Sequence, residues 1–235
     1  MNTKIEEIKK IESPPKVIKN MFSQDEIDSF LKLYENLPTT VHNKKQNVIK
    51  KRWLQGYDKN LEKIFCDRLK NIIGNFKMDN LKDEKGKDIF GLIQESYNPI
   101  GLHVDAGFEI NNQIYKQTLI PLSSVGSTVI FKNRFYEGST NFTQDPEELK
   151  KTNLGYGQNK RSNVHLKIFG DKPFDRAIHK KYLNHESIEN LKGLEVELIY
   201  EWKVGSILIF DRSHLHCSSS VIEGKKIGIA TFTKR

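Results

Sequence analysis

His103, Asp105, His216 and Lys226 are the residues whose types and order could do chemistry. In an extended chain, residues i and i+2 project from the same face, so His103 and Asp105 would present an imidazole and a carboxylate together. A second imidazole from a distant strand, His216 in Ser213-His214-Leu215-His216, would complete a two-histidine, one-carboxylate face. Such a face holds ferrous iron with positions left open, and it suits the closed tetrahedral geometry of structural zinc poorly. Lys226 follows His216 by ten residues, on what should be the next strand. A cation there could bind the far carboxylate of a keto acid chelating the metal. A His-x-Asp pair alone is a weak signal that arises by chance, and the specificity comes from the assembly.

Two of these positions have neighbours that compete for the role. His214 has the same strand parity as His216, but the Ser-x-Leu-x-His order and the spacing to Lys226 favour His216. Strand alternation sends one of Lys225 and Lys226 inward, and Lys226 is preferred. Cys217, beside His216, should point away from a metal. His42, His165, His179 and His185 sit in polar stretches and read as solvated. Trp53 and Trp202 read as packing residues, while Arg134, Tyr136 and Arg212 could line a substrate mouth.

The elements that must position these groups follow from periodicity. Ser23 and Glu26 form a capping box, and Ile27, Phe30, Leu31 and Tyr34 then share one helical face until Pro38. A second helix is predicted from Asn60 to Ile73, stopped by Gly74. Residues 1–20 read as a loose lead-in. From Asp88 the pattern becomes strands: Ile89–Ile93 leading through Tyr97 to His103, then Gln117–Leu122, Ser127–Phe131, Leu194–Trp202, Gly205–Phe210 and Lys226–Thr233. The expectation is a mainly β fold, a double-stranded β-helix (jelly roll, cupin-like) with flanking N-terminal α-helices. One domain would span 1–235, with helical support over 1–87 and a jelly-roll core over 88–235. Within it lies a polar insertion, 137–193, with a short helix predicted at Pro146–Lys151 and the character of a lid or surface decoration.

Composition sets the class. Over 235 residues, 29% charged and 37% hydrophobic residues suit one globular domain, and no apolar run approaches the roughly 20 residues of a membrane span. Two cysteines and an N-terminus without an apolar segment lead to the expectation of a cytoplasmic protein without disulfides. The net charge of +8 comes from scattered lysines in short runs, such as Lys50-Lys51-Arg52, so a solvated surface is favoured over a nucleic-acid partner.

The order of His103-x-Asp105, Gly205-Ser206-Ile207-Leu208-Ile209-Phe210, Ser213-x-Leu215-x-His216 and Gly224-x-Lys226 resembles the iron(II)/2-oxoglutarate-dependent oxygenases, the prolyl-hydroxylase-like and phytanoyl-hydroxylase-like groups most closely. The motifs cover about residues 88–235. The resemblance implies oxidative decarboxylation of 2-oxoglutarate to succinate and carbon dioxide with O2, coupled to hydroxylation of an unactivated C–H bond in a prolyl or small-metabolite substrate. It implies Fe(II) at His103, Asp105 and His216, 2-oxoglutarate at Lys226, and ascorbate as an optional reductant. Where many members carry Arg, this chain has Lys226, as in the prolyl-hydroxylase group. The hydroxyl residue common two positions further on is replaced by Gly228, so one hydrogen bond to the co-substrate must come from elsewhere, with Tyr97 and Thr118 as candidates. The true carboxylate at Asp105 argues against the halogenase branch. Two other readings stay open: a non-catalytic jelly-roll module binding a sugar or peptide, and an oxygenase acting on nucleic acid, whose Arg-rich closing signature Lys226-Ile227-Gly228-Ile229 does not match.

Overall fold

A computed structural model of the chain describes residues 3–43, 48–79, 81–107, 114–143, 157–161, 168–220 and 223–235. After a short helix α1 (Thr3–Lys10) and strand β1 (Lys16–Ile18) come α2 (Gln24–Asn36), β2 (Thr39–Asn43), β3 (Val48–Leu54) and α3 (Lys59–Ile73). The strands β4 (Lys77–Met78), β5 (Leu81–Lys82), β6 (Asp88–Ser96), β7 (His103–Val104), β8 (Ile114–Pro121), β9 (Ser127–Arg134), β10 (Thr140–Thr143) and β11 (Gly157–Lys160) follow. Helix α4 (Arg176–Tyr182) and a 3-10 turn at Ile188–Leu191 lead to β12 (Val196–Glu201), β13 (Ile207–Asp211), β14 (His214–Ser218) and β15 (Lys226–Lys234).

The strands form two facing sheets. The larger runs β1-β13-β8-β15-β6-β3-β2, with β4 against β15 and β5 against β6, and the smaller runs β11-β10-β7-β14-β9-β12. All pairings are antiparallel except β10 with β11. This is the expected mainly β jelly roll with N-terminal helices. The helix expectations hold to within a residue: Ser23 caps α2 as a reciprocal box, accepting from the Glu26 N–H while its own N–H donates to Glu26 Oε2. Asp58 caps α3, which ends at Gly74.

Residues 1–87 contribute more than helices, because β1, β2 and β3 join the larger sheet. The basic run Lys50-Lys51-Arg52 hides β3 from a hydropathy reading, since strand alternation there separates cations rather than apolar from polar residues. The helix predicted at Pro146–Lys151 lies outside the described residues.

Three apolar layers follow from strand alternation. One face of the larger sheet, with Ile93, Ile120, Ile209, Ile227 and Ile229, packs on Phe30, Phe65 and Leu69 of the helices. The outer face of the smaller sheet, with Val129, Phe131, Leu215 and Cys217, packs under Phe142, Phe174, Leu183 and Leu191. Between the sheets lie Ile130, Tyr200, Leu208 and Phe210. This interior also holds the chemistry-bearing side chains.

Candidate metal centre

The two imidazoles meet because their strands pair: His216 of β14 sits directly opposite His103 of β7. Opposed residues on antiparallel strands bring their Cβ atoms within about 5 Å, and here the ring centroids are 4.0 Å apart. Asp105 follows two residues after His103 in extended chain. Its Oδ2 lies 3.8 Å from His103 Nε2 and 3.5 Å from His216 Nε2. One ligand atom from each of the three residues falls within 4.8 Å of the others, the spacing of a shared ion. His216 is nearly enclosed, while His103 and Asp105 keep 16% and 22% of their side-chain surface exposed, so the centre opens to one side.

Hydrogen bonds to the backbone fix which nitrogen faces the centre. His103 Nδ1 lies 2.7 Å from the Gly101 carbonyl and His216 Nδ1 lies 3.0 Å from the His214 carbonyl. A carbonyl only accepts, so each Nδ1 carries a proton and each ring turns its Nε2 toward Asp105. Burial, reinforced by His216, pushes His103 down to about 4, which keeps its ring neutral near pH 7. Burial alone would raise the Asp105 carboxyl, yet His216, His103 and the Gln117 amide hold it well below the usual carboxylate range. Two imidazoles with Nε2 turned inward and one ionised carboxylate form a donor set that fits a divalent transition metal.

Several groups hold these three residues in place. Gln117 of β8 reaches across from the larger sheet and donates from Nε2 to Asp105 Oδ2 at 2.9 Å. Arg212 donates from Nε to the Asp105 carbonyl at 3.0 Å and pairs with Asp79. Glu186 accepts the Leu102 N–H at 2.5 Å. A Cβ on Gly101 would lie 2.8 Å from that same Glu186 oxygen, so any larger residue there would have to displace the carboxylate. Ser218 N–H donates to the Ile100 carbonyl at 3.0 Å, tying the same loop to β14.

Lys226 points into the interior and is 3% exposed, whereas the Lys225 side chain is half exposed, near Glu95 and Tyr34. Lys226 Nζ donates to the Ser127 carbonyl at 2.9 Å and lies 4.1 Å from the Trp202 ring centroid. Among the described residues it forms no ion pair, and burial pushes its ammonium down to about 7. A buried cation without a carboxylate partner fits the far end of an anionic ligand. Lys50 of β3 also turns away from the helices: Lys51 reaches the Tyr34 carbonyl and Trp53 enters the helix-side core, so Lys50 takes the opposite face. Burial lowers the Lys50 ammonium and the nearby Asp105 partly offsets that.

The remaining sequence candidates occupy different surroundings. Thr118 bonds Thr231 at 2.7 Å on the helix-facing side of the larger sheet, opposite in parity to Gln117. Tyr97 donates to Glu95 Oε1 at 2.5 Å at the end of β6. Arg134 lies 3.3 Å from Asp211 and 3.7 Å from Glu12, and Tyr136 donates to Glu12 at 2.8 Å, so both tie down the N-terminal segment. His214 is fully buried between Asp211 and Glu197, outside the His–Asp–His group. Cys217 faces the outer apolar layer. Sequence reasoning missed Gln117, Glu186 and Lys50. The parity of Gln117 against Thr118 is not legible in the sequence because β8 is buried on both faces.

No family model matches the sequence, and no curated protein is similar to it. Solved structures are. HygX from Streptomyces hygroscopicus, with nickel and 2-oxoglutarate bound, superposes with a TM-score of 0.52 at 10% identity, covering 100% of this chain and 87% of its own. The non-heme alpha-ketoglutarate-dependent epimerase SnoN from nogalamycin biosynthesis gives 0.52 at 7% identity, covering 98% of this chain and 84% of its own. At such identities the likeness speaks for architecture, and the chain has the double-stranded β-helix fold of the iron(II)/2-oxoglutarate oxygenases.

Proposed function

We propose that the protein is a non-haem iron(II)/2-oxoglutarate-dependent oxygenase that hydroxylates an unactivated C–H bond. The observation that carries the reading is the convergence of His103, Asp105 and His216 donors with both imidazoles held in the Nε2-ligating tautomer. His103 and His216 would hold iron through Nε2 and Asp105 through Oδ2, with Lys226 on the far carboxylate of 2-oxoglutarate. When bound, iron and 2-oxoglutarate supply, with O2, the oxidation of a C–H bond, 2-oxoglutarate leaving as succinate and carbon dioxide. The chain does the rest. Gln117 and Arg212 fix Asp105, the Gly101 and His214 carbonyls fix the imidazoles, and the apolar interior would keep water from Lys226 and the co-substrate carboxylate. HygX, of the same fold, has been crystallised with hygromycin B, which favours a small-molecule prime substrate here over a peptidyl proline.

The test is succinate release by purified protein with Fe(II), 2-oxoglutarate and ascorbate. Succinate should form only with both metal and co-substrate, and Asp105→Ala should lower it by about 100-fold or more, beyond the loss typical of a supporting residue. Full turnover in Asp105→Ala would sink the assignment.

A further inference from the structure

Trp202 follows β12, and its ring lies across Gly228 of β15. The indole N–H donates to Thr128 Oγ1 at 2.9 Å, which pins the ring between the sheets. A Cβ on Gly228 would lie 2.5 Å from Cη2 and 2.7 Å from Cζ3 of that ring, and 3.3 Å from the Ile120 carbonyl. The backbone at Gly228 is not in the left-handed region, so the glycine serves space and not conformation. The same ring lies 4.1 Å from the Lys226 ammonium, which also donates to the Ser127 carbonyl.

The consequence concerns what Lys226 can hold. An ammonium has three N–H donors. Here the Ser127 carbonyl takes one, and the indole face covers a further side of the charge. At position 228, where a hydroxyl could have helped bind a carboxylate, there is instead the edge of an aromatic ring. That ring offers no donor, because its N–H is turned to Thr128. An anion at Lys226 would therefore meet an ammonium beside a rigid apolar wall.

We propose that Trp202, admitted by Gly228, is the wall that sets the length of the co-substrate pocket and selects 2-oxoglutarate against longer dicarboxylic 2-oxo acids. The proposal rests on the reading that Lys226 binds the far carboxylate of 2-oxoglutarate. A close-packed wall rejects an added methylene by about tenfold or more, so 2-oxoadipate should bind at least about tenfold more weakly. Removing the ring should open the pocket and erase most of that preference.

The experiment measures binding by calorimetry to the Mn(II)-loaded protein without turnover, with tryptophan fluorescence recorded alongside. Wild-type protein should prefer 2-oxoglutarate to 2-oxoadipate, and its fluorescence should change along the same binding curve. In Trp202→Phe the fluorescence change should vanish. Trp202→Ala should bind the two acids nearly equally. Gly228→Ser should weaken 2-oxoglutarate by about tenfold or more in the wild-type background and have little effect beside Trp202→Ala, as expected for two groups competing for one space.

If wild-type protein binds both acids equally, or if its fluorescence ignores a saturating ligand that calorimetry detects, the proposal about Trp202 is overturned while 2-oxoglutarate binding stands. Both readouts need only the wild-type chain, so a variant that fails to fold leaves the test intact. If 2-oxoglutarate does not bind the loaded protein at all, the functional reading fails and this proposal with it.

Discussion

Gln117 and Lys226 illustrate how single side chains set the properties of the centre. Gln117 is the amide that orients Asp105 from the opposite sheet. Its replacement by Leu, similar in size and unable to donate, should weaken metal binding by about 10- to 100-fold with little change in melting temperature, as measured by Mn(II) titration. Lys226 should behave in the opposite sense for stability. Its folded pKa, about 7, lies below the ordinary lysine value. The unfolded chain therefore binds a proton that the folded chain releases, and stability rises with pH between about 7 and 10.5. Lys226→Met should stabilise the ligand-free protein by a few kcal/mol, roughly 2–4, at pH 7. That advantage should shrink as pH climbs through the same window, read from urea unfolding at each pH. The variant should also lose 2-oxoglutarate binding.

At the scale of elements, the loop before β7 has no ladder of its own long enough to hold His103, since β7 is two residues long. Its position comes from β14 on one side and from Glu186, after α4, on the other. Glu186 also receives the Asn190 amide at 3.3 Å, so the segment 183–191 acts as a brace behind the loop that carries His103. Glu186→Ala should leave the Leu102 N–H unpaired in a partly buried place. It should lower metal affinity about tenfold by loosening His103, and should cost roughly 1–3 kcal/mol of stability. Unchanged Mn(II) affinity in a folded Glu186→Ala protein would remove the brace from the account. This long-range contact links positions 84 residues apart, and neither residue carries a local signal of it.

For the molecule as a whole, α2 and α3 pack on the larger sheet and reach the site through it. Phe30 is fully buried, edge-on to Phe22 and Trp53, and Trp53 in turn packs on Phe90 of β6. Phe30→Ala should cost about 3–5 kcal/mol by denaturant unfolding, while leaving the metal affinity of the folded fraction unchanged. The N-terminal segment is held differently, by polar contacts. Glu12 receives Tyr136 and Ser213, and Ser13 N–H donates to Asp211, whose carboxylate also pairs with Lys116 and Arg134. Arg134 and Tyr136 could line a substrate mouth by sequence. In the fold they anchor the N-terminal segment through Glu12 and Asp211. Among the described residues, no helix is long and apolar enough to cross a membrane.

Much of the centre is legible in the chain because it rests on local rules. Alternation puts His103 and Asp105 on one face, separates His216 from Cys217 and Lys226 from Lys225, and a capping box and a terminal glycine delimit α2 and α3. What the sequence by itself could not determine is everything set by pairing across the barrel. Which face of β8 looks inward, and hence Gln117 over Thr118, is decided by its neighbours, since both faces of that strand are buried. The Glu186 brace, the strand hidden in Lys50-Lys51-Arg52 and the Trp202 ring over Gly228 are likewise contacts between residues far apart in the chain. Local periodicity fixes the direction of a side chain, and only tertiary packing fixes what it meets.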